Sequence, residues 1–319
     1  MRSAINFLRK ALNRSVSAGP FGNYHIYGGE AYAQNEQMQA VARVDLAADG
    51  FSVPGAELEA ALDRMSSDPL ATLDESSLSL KSGRLRATIP TTTDYPPTIY
   101  SREIDWKPLP GNLIAALRTA CPFLIGTAGG WSAAIRLQDE RLTVINNLCG
   151  IDVAIPGLVC APSLLTEETA AFLLSQDPPE SYGVKPGAAF LFRWKDGRSL
   201  HANLVDQVMP EQVEKIFASA GSEAPVALSP DWRAAFEDAA AITEDVIEIR
   251  SDAFYVGRGA SKVKIEIETA VPEAHVSYWK TKVLAPMLTA ATSWNPGAYP
   301  TPALFKGPGL YGLVSGIKR

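Results

Sequence analysis

Ala188-Ala-Phe-Leu-Phe-Arg-Trp194, Lys195-Asp-Gly197 and Arg198-Ser-Leu-His-Ala-Asn-Leu-Val-Asp-Gln-Val-Met-Pro210 follow one another without a break. Two apolar-rich runs flank Asp196-Gly197, and that dipeptide between strand-like segments predicts a β-hairpin. Gly197 takes φ > 0 without steric cost, and Asp196 tolerates it. A short helical pattern over residues 165–176 precedes the hairpin.

Outward from this stretch, the order of helix then hairpin recurs before and after it. Helices are predicted over 3–16, 111–120 and 231–242, each with apolar residues on one face. Ser229 or Asp231 is a candidate N-cap for the third, and Pro122 is expected to end the second. After each comes a set of strand-like runs: 24–27, 30–35 and 40–46; then 133–137, 141–146 and 151–155; then 246–250, 253–256 and 262–268. A turn acid, Glu30, Glu140 or Asp252, comes at the start of each middle run. Second helices are predicted over 55–65, 165–176 and 276–290, with Pro286 implying a kink or an early stop in the last. Hairpins over 77–89, at Asp196-Gly197 within 188–210, and over 303–314 close the three units, and linkers fall at 91–110 and 217–230. Side-chain identity between the copies is poor, so the signal is the repeated order. The fold class is α+β, with three domains at 1–105, 106–222 and 223–319.

Composition fits such a chain. It has 319 residues, 46% hydrophobic and 20% charged, which excludes disorder. No run of about 18 apolar residues offers a membrane span. The basic, amphipathic N-terminus lacks the apolar block and small-residue cleavage site of a secretory signal; a transit peptide is its rival reading. Cys121, Cys149 and Cys160 are odd in number and form no Cys-x-x-Cys, so ordinary thiols in a reducing compartment are expected. The net charge of −6 is unevenly spread. Residues 1–29 carry Arg2, Arg9, Lys10 and Arg14 with no acid, and residues 274–319 carry Lys280, Lys282, Lys306, Lys318 and Arg319 with no acid. Of 29 basic residues these nine leave 20 against 35 acids, a net of −15 between the ends. A polyanion would have to meet the termini or particular faces.

The thrice-repeated element order resembles the bacterial and phage DNA sliding clamp, the processivity subunit of replicative polymerases. The resemblance spans nearly the whole chain. Gly83-Arg-Leu-Arg-Ala-Thr-Ile-Pro90 with Tyr95-Pro96 is similar to the family's first-domain hairpin and its exit. Leu204-Val-Asp-Gln-Val-Met-Pro210 is similar to the loop leaving the second domain, and Tyr311-Gly-Leu-Val-Ser-Gly-Ile-Lys-Arg319 to the terminal strand and tail. Departures mark a divergent member, one a phage could encode. Asn147-Leu-Cys-Gly-Ile-Asp-Val153 replaces the family's Thr-Asp-Gly-x-Arg-Leu. Gly316 stands where proline is common, and the chain is short for the family.

The resemblance implies a ring of two subunits, head to tail around duplex DNA, with sheets outside and helices inside. Such a ring needs phosphate attraction without base readout. Arg9, Lys10, Arg14, Arg64, Arg118, Lys280 and Lys282 are the candidate DNA contacts, although any one of them reads equally as a solvated cation. Glu167, Glu168, Glu237 and Asp238 run against a uniformly basic lining. The family also implies a groove for partner peptides, to which Trp131, Gly150, Val153, Phe217, Leu313 and Ile317 loosely correspond; core packing is the plainer reading of each aliphatic residue. Trp131, after the loop 126–130, could stack on a nucleotide, anchor a peptide or fill the core.

Chemistry is sparse. Gly257-Arg-Gly-Ala-Ser-Lys262 lacks the ending of a phosphate loop and reads as a hairpin turn, and Gly312-Leu-Val-Ser-Gly316 has the wrong spacing for a nucleophile elbow. His25, His201 and His275 are isolated, so no metal site is expected, and no cofactor either. The expected protein is a non-catalytic, cytoplasmic sliding clamp whose partners are double-stranded DNA, a DNA polymerase, a clamp loader and a second copy of itself, without membrane attachment. The alternatives are a phage structural or adhesive protein of β-rich repeats, and an unrecognised enzyme on an α+β scaffold.

Overall fold

The computed structural model describes residues 1–13, 19–46, 50–93, 104–124, 130–210, 215, 217, 225–243, 245–257, 262–271, 276–295, 299 and 302–317. One order of elements is written three times. Helix α1 (Arg2–Leu8) leads to β1 (Asn23–Tyr27), β2 (Glu30–Gln34), β3 (Met38–Arg43), β4 (Phe51–Pro54), α2 (Gly55–Arg64), β5 (Leu70–Asp74), β6 (Ser77–Ser82) and β7 (Leu85–Pro90). The second copy is β8 (Lys107–Pro108), α3 (Leu113–Ala120), β9 (Ala134–Gln138), β10 (Arg141–Ile145), β11 (Cys149–Ala154), β12 (Ser163–Thr166), α4 (Glu167–Leu174), β13 (Ser181–Lys185), β14 (Ala189–Arg193) and β15 (Ser199–Asn203). The third is β16 (Val226–Ala227), α5 (Pro230–Ile242), β17 (Val246–Ile249), β18 (Ala253–Val256), β19 (Val263–Glu266), β20 (Ser277–Lys280), α6 (Thr281–Ala290), β21 (Ser293–Trp294), β22 (Ala303–Gly307) and β23 (Leu310–Val314).

The chain forms two compact units. The first holds residues 1–109 and 168–204, the second 110–167 and 205–319. In the first unit one sheet runs β4-β1-β2-β3-β15-β14-β13-β8, joined at its centre by β3 and β15 with Leu200 opposite Ala40. A separate sheet is β5-β6-β7. In the second unit the equivalent sheet runs β12-β9-β10-β11-β23-β22-β21-β16, joined by β11 and β23 with Gly150 opposite Leu313. Its separate sheet is β19-β18-β17-β20. Each large sheet thus combines the meander of one copy with the hairpin of a later copy.

Local chemistry explains the repetition where sequence identity does not. Asn35 Oδ1 accepts from the N–H groups of Gln37 and Met38 at 2.8 and 2.9 Å, and its own N–H reaches the Met38 carbonyl. Asn146 does the same with Leu148 and Cys149 at 2.8 and 3.1 Å. One side-chain turn therefore sets the β2–β3 and β10–β11 registers. At the hairpin of the second copy, Gly197 has φ 89° and its N–H donates to the Trp194 carbonyl, as Asp196-Gly197 predicts.

Helix α1 is only seven residues long, too short to persist alone. It is held by burying Ala4, Ile5, Phe7 and Leu8, with Phe7 edge-on to Phe172 and Trp194 at 5.2 and 4.9 Å. In the second unit Trp294 stacks on Phe305 and lies edge-on to Trp232 and Trp279. Helices α5 and α6 pack together there, with α5 over β18 and α6 against β20 and β23.

Three predicted helices are shorter than the pattern suggests. α1 ends at Leu8 rather than 16, as the N–H of Ala11 turns back to the Leu8 carbonyl; residues 14–18 lie outside those described. The segments predicted as helix from 165 and from 276 begin as β12 and β20, which pair with β9 and β17. Strand β4 likewise runs directly into α2. With no turn residues between strand and helix, the sequence carries no break to read. Helix α6 also continues through Pro286 to Ala290 rather than stopping. Residues 258–261 are outside the described set, but Val256 pairs with Val263, so the string that superficially suggests a phosphate loop joins two antiparallel strands.

Candidate functional sites

The predicted DNA contacts divide by what each cation touches. Arg9 caps the end of α1, and its guanidinium donates to Asp63 at 2.5 Å with Glu59 at 3.8 Å. The hydrogen bond to Asp63 raises its pKa, and only 25% of the side chain is exposed. Its charge is therefore spent within the α1–α2 pair. Glu59 in turn accepts from the Tyr24 hydroxyl at 2.6 Å. Arg2 holds the same pair together by donating to the Leu62 carbonyl at 2.7 Å, at the C-terminal end of α2.

Lys10, Arg64, Arg118 and Lys282 are exposed, Arg64 and Arg118 in the last turns of α2 and α3 and Lys282 in the first turn of α6. Lys280 is half-buried at the end of β20, opposite Val246. Arg14 lies outside the described residues. Exposed acids also stand on the helices: Glu57 and Asp63 on α2, Glu167 and Glu168 on α4, and Glu237 and Asp238 on α5. Helix α5 exposes no cation, because its Arg233 is turned to the Leu288 carbonyl at 2.6 Å and to the Ala291 carbonyl.

The second candidate site lies in the second unit. Ala134, Ile145, Leu164 and Met209 form a buried apolar cluster, with Trp131, Val205 and Phe217 half-buried against it. Gly150 belongs beside them: a Cβ there would lie 3.0 Å from the Phe217 ring and 3.0 Å from Ile145. Leu313 is opposite Gly150 on β23 and is 3% exposed. Of the six predicted groove residues, Trp131, Gly150 and Phe217 are thus brought together, with Leu313 across the sheet. Val153 lies three residues further along β11, opposite Leu310. Ile317 is held elsewhere, its N–H donating to the Tyr278 carbonyl and its own carbonyl accepting from the Tyr299 hydroxyl at 2.6 Å.

Ile145, Leu164, Val205 and Met209 are cluster residues that sequence reasoning passed over. Val205 and Met209 were visible after the Asp196-Gly197 hairpin as apolar residues four apart on either side of Asp206-Gln207. The N–H of Val205 donates to the Leu164 carbonyl at 3.0 Å, tying that segment to β12.

Burial pushes the thiol of Cys149 up to about 12; burial, then the charge of Glu167, pushes that of Cys121 up to about 11. Both are therefore protonated, weak nucleophiles at neutral pH. Among the described residues there is no cluster of three His, Cys, Asp or Glu side chains able to hold a metal, and no helix long and apolar enough to cross a membrane.

Three copies of a strand–helix–hairpin unit, with meanders and hairpins of different copies sharing large sheets, define the DNA clamp fold. No protein-family model matches the chain and no curated protein matches it by sequence. Solved structures do. The Helicobacter pylori beta clamp bound to a DNA ligase peptide is 11% identical, with a TM-score of 0.77 over 99% of this chain and 97% of that one. The DNA polymerase III beta subunit of Thermotoga maritima is 16% identical, with a TM-score of 0.75 over 100% and 97%. The DNA polymerase sliding clamp of Caulobacter crescentus is 14% identical, with a TM-score of 0.78 over 99% and 97%. The chain has the sliding-clamp fold from end to end.

Proposed function

We propose that this protein is a non-catalytic DNA sliding clamp. Two copies close head to tail into a ring around duplex DNA, tether a DNA polymerase, and are opened by a separate clamp loader in the cytoplasm of a cell or of a phage's host. The three modules are residues 1–105, 106–222 and 223–319. The two compact units are compatible with this, because the large sheets join the first module to the second half of the second, and the first half of the second to the third.

The observation that carries the reading is an incomplete pattern. The third strand of a meander pairs with the last strand of a hairpin twice within the chain, as β3 with β15 and β11 with β23. The same two elements are left over as β19 and β7, each the edge of its own small sheet. Leu85 on β7 and Val263 on β19 are both 46% exposed, an arrangement that isolated edge strands avoid. A second copy supplies the missing partner for each, and the exchange is head to tail and closed.

The register follows from the β11–β23 junction, whose hairpin has the same two-residue turn as the one before β7. Leu310, first after the Pro308-Gly309 turn, faces Val153, and Leu85 is likewise first after Gly83-Arg84. The pair Arg141–Ala154 corresponds to Ala253–Glu266, so Val153 corresponds to Ile265. Leu85 then faces Ile265, Ala87 faces Val263 and Arg84 faces Glu266. Leu85, Ala87 and Ile89 share one face of β7 as Val263 and Ile265 share one face of β19, so the parity is right. Arg86 falls opposite Lys264, which brings its own Glu266 at 3.1 Å and Asp252 at 3.6 Å.

Lys10, Arg64, Arg118, Lys280 and Lys282 are the candidate phosphate contacts, and the cluster with Trp131, Gly150 and Phe217 is the candidate peptide groove, flanked by Leu313. Val153 and Ile317 would extend that groove. No observation favours the adhesive-repeat alternative. The deciding experiment is a solution mass combined with retention on circular and linear duplex DNA. A ring has twice the chain mass of 34.2 kDa and stays on circles while running off linear ends. A monomer, or equal retention on both, refutes the proposal.

A further inference from the structure

Gln207 lies in the exposed segment between the buried Met209 and the half-buried Val205. Its Oε1 accepts from the backbone N–H of Trp131 at 2.8 Å, across 76 residues of sequence. Its own N–H donates to the Val205 carbonyl at 2.8 Å, which turns the segment so that the side chain reaches the 3-10 turn Gly130–Ala133. Gly130 makes room for it. With φ 68°, Gly130 adopts a backbone that other residues avoid, and a Cβ there would lie 2.4 Å from Gln207 Oε1. The segment therefore supplies a floor (Met209), a wall (Val205) and a tie (Gln207) to one apolar cluster, while Val208 between them is 86% exposed.

We propose that Gln207 is a positioning residue that latches Trp131 beside Phe217 and so sets the aperture through which the cluster takes one aromatic side chain of a partner's extended peptide. This rests on the peptide-groove reading above. The partner's chemistry follows from the rim: two half-buried aromatic rings, Trp131 and Phe217, border an aliphatic floor of Ile145, Leu164 and Met209. Such walls prefer an aromatic guest in edge-to-face contact. Among the described residues this side-chain hydrogen bond joins Trp131 to the 205–209 segment, and a net bond of that kind is worth about a factor of five in an equilibrium. Without it the indole can leave the rim while the buried floor stays intact.

The test uses the isotope-labelled full chain and N-acetyl-L-phenylalaninamide as probe, followed by the backbone and indole resonances of Trp131, with Trp131→Phe assigning them. The unaltered chain binds the probe saturably and shifts both signals. Gln207→Ala weakens binding about fivefold and moves the free Trp131 amide signal upfield. Gln207→Glu, which keeps an acceptor oxygen, retains binding, and Gln207→Ala lowers the melting temperature by at most a few degrees, so the chain stays folded. Phe217→Ala abolishes binding. Unchanged affinity in Gln207→Ala, with loss in Phe217→Ala, overturns the latch and leaves the groove standing. No saturable binding by the unaltered chain, or none of the loss expected in Phe217→Ala, overturns the groove and the latch with it.

Discussion

The guanidinium of Arg9 and the carboxylate of Asp63 meet at 2.5 Å, joining the end of α1 to α2. A cation so engaged has little left to offer a phosphate, whereas Lys10 beside it is exposed. Arg9→Gln is expected to leave the salt dependence of DNA retention unchanged and to lower stability by about 1 kcal/mol, since the exposed pair alone is worth less but the nearby Glu59 also loses its cation. Lys10→Gln, Arg118→Gln and Lys282→Gln should do the reverse. Each phosphate-binding cation removed lowers the slope of log affinity against log salt by about 0.9, and a two-copy ring gives up two at a time. Retention on circular DNA across a salt series, beside thermal melting, separates the two outcomes.

His201 on β15 faces Gln39 on β3 at the centre of the first large sheet, and burial lowers its pKa to about 4. Its folded pKa lies below its unfolded value near 6.5. The unfolded chain therefore takes up the proton first, and stability falls as pH drops from about 6.5 to about 4. The loss reaches about 3 kcal/mol at the lower end. His201→Gln should flatten this part of the profile, which denaturant titrations at pH 7, 5.5 and 4.5 would measure; an equally steep fall in the variant contradicts the assignment.

Glu248 on β17 is an acid-range counterpart. Its side chain is 4% exposed, and burial alone would raise its pKa, but hydrogen bonds from Lys262 and Arg250 outweigh that and hold it below the usual range. A depressed carboxylate contributes stability above its unfolded pKa near 4.3 and loses it as pH falls through the folded value. Glu248→Gln should weaken the third module at neutral pH and remove its extra sensitivity below about pH 4. Hydrogen exchange of β17 and β18 amides across that range reports it.

Gly150→Val tests the groove from its floor. The new Cβ falls 3.0 Å from both Phe217 and Ile145, so Phe217 must move. Overpacking of this kind costs about 1–3 kcal/mol. N-acetyl-L-phenylalaninamide should then bind at least tenfold more weakly, while the ring mass is unchanged; retained binding removes Gly150 from the site.

The sequence made the hairpins legible because their turns carry chemistry, as at Asp196-Gly197 and Gly83-Arg84, whereas Asn35 and Asn146 read as strand ends and show their turn role only in the structure. The sequence hid β4, β12 and β20 because Pro54-Gly55, Thr166-Glu167 and Lys280-Thr281 pass from strand to helix with no loop between. Charge along a helix was legible, but its use was not. Arg9 and Lys10 are adjacent in sequence, and only tertiary packing gives one of them to Asp63. The apolar cluster was half visible, since the resemblance to sliding clamps pointed to Trp131, Gly150 and Phe217. Ile145, Leu164 and Met209 are ordinary aliphatics that only the fold gathers.

The junction register gives the sharpest prediction. In the β11–β23 pairing, Ala154 N–H donates to Gly309 O and Ser315 N–H to Leu148 O. Hydrogen-bonded pairs therefore fall at 154–309, 152–311 and 150–313, and Ile151 opposite Gly312 is a non-hydrogen-bonded pair. Ala87 and Val263 correspond to Gly312 and Ile151. Non-hydrogen-bonded antiparallel neighbours have Cα atoms about 4.5 Å apart, within disulfide reach. Ala87→Cys with Val263→Cys should therefore oxidise to a covalent two-chain species on non-reducing gels, with both junctions closed. Ala87→Cys with Lys264→Cys, whose side chains leave opposite faces, should not. The native thiols offer little competition, since Cys149 and Cys160 are buried and Cys121 is partly so. Cross-linking of the second pair but not the first would mean a one-residue slip, which would turn Leu85 and Ile265 to opposite faces and remove the reason for the pairing.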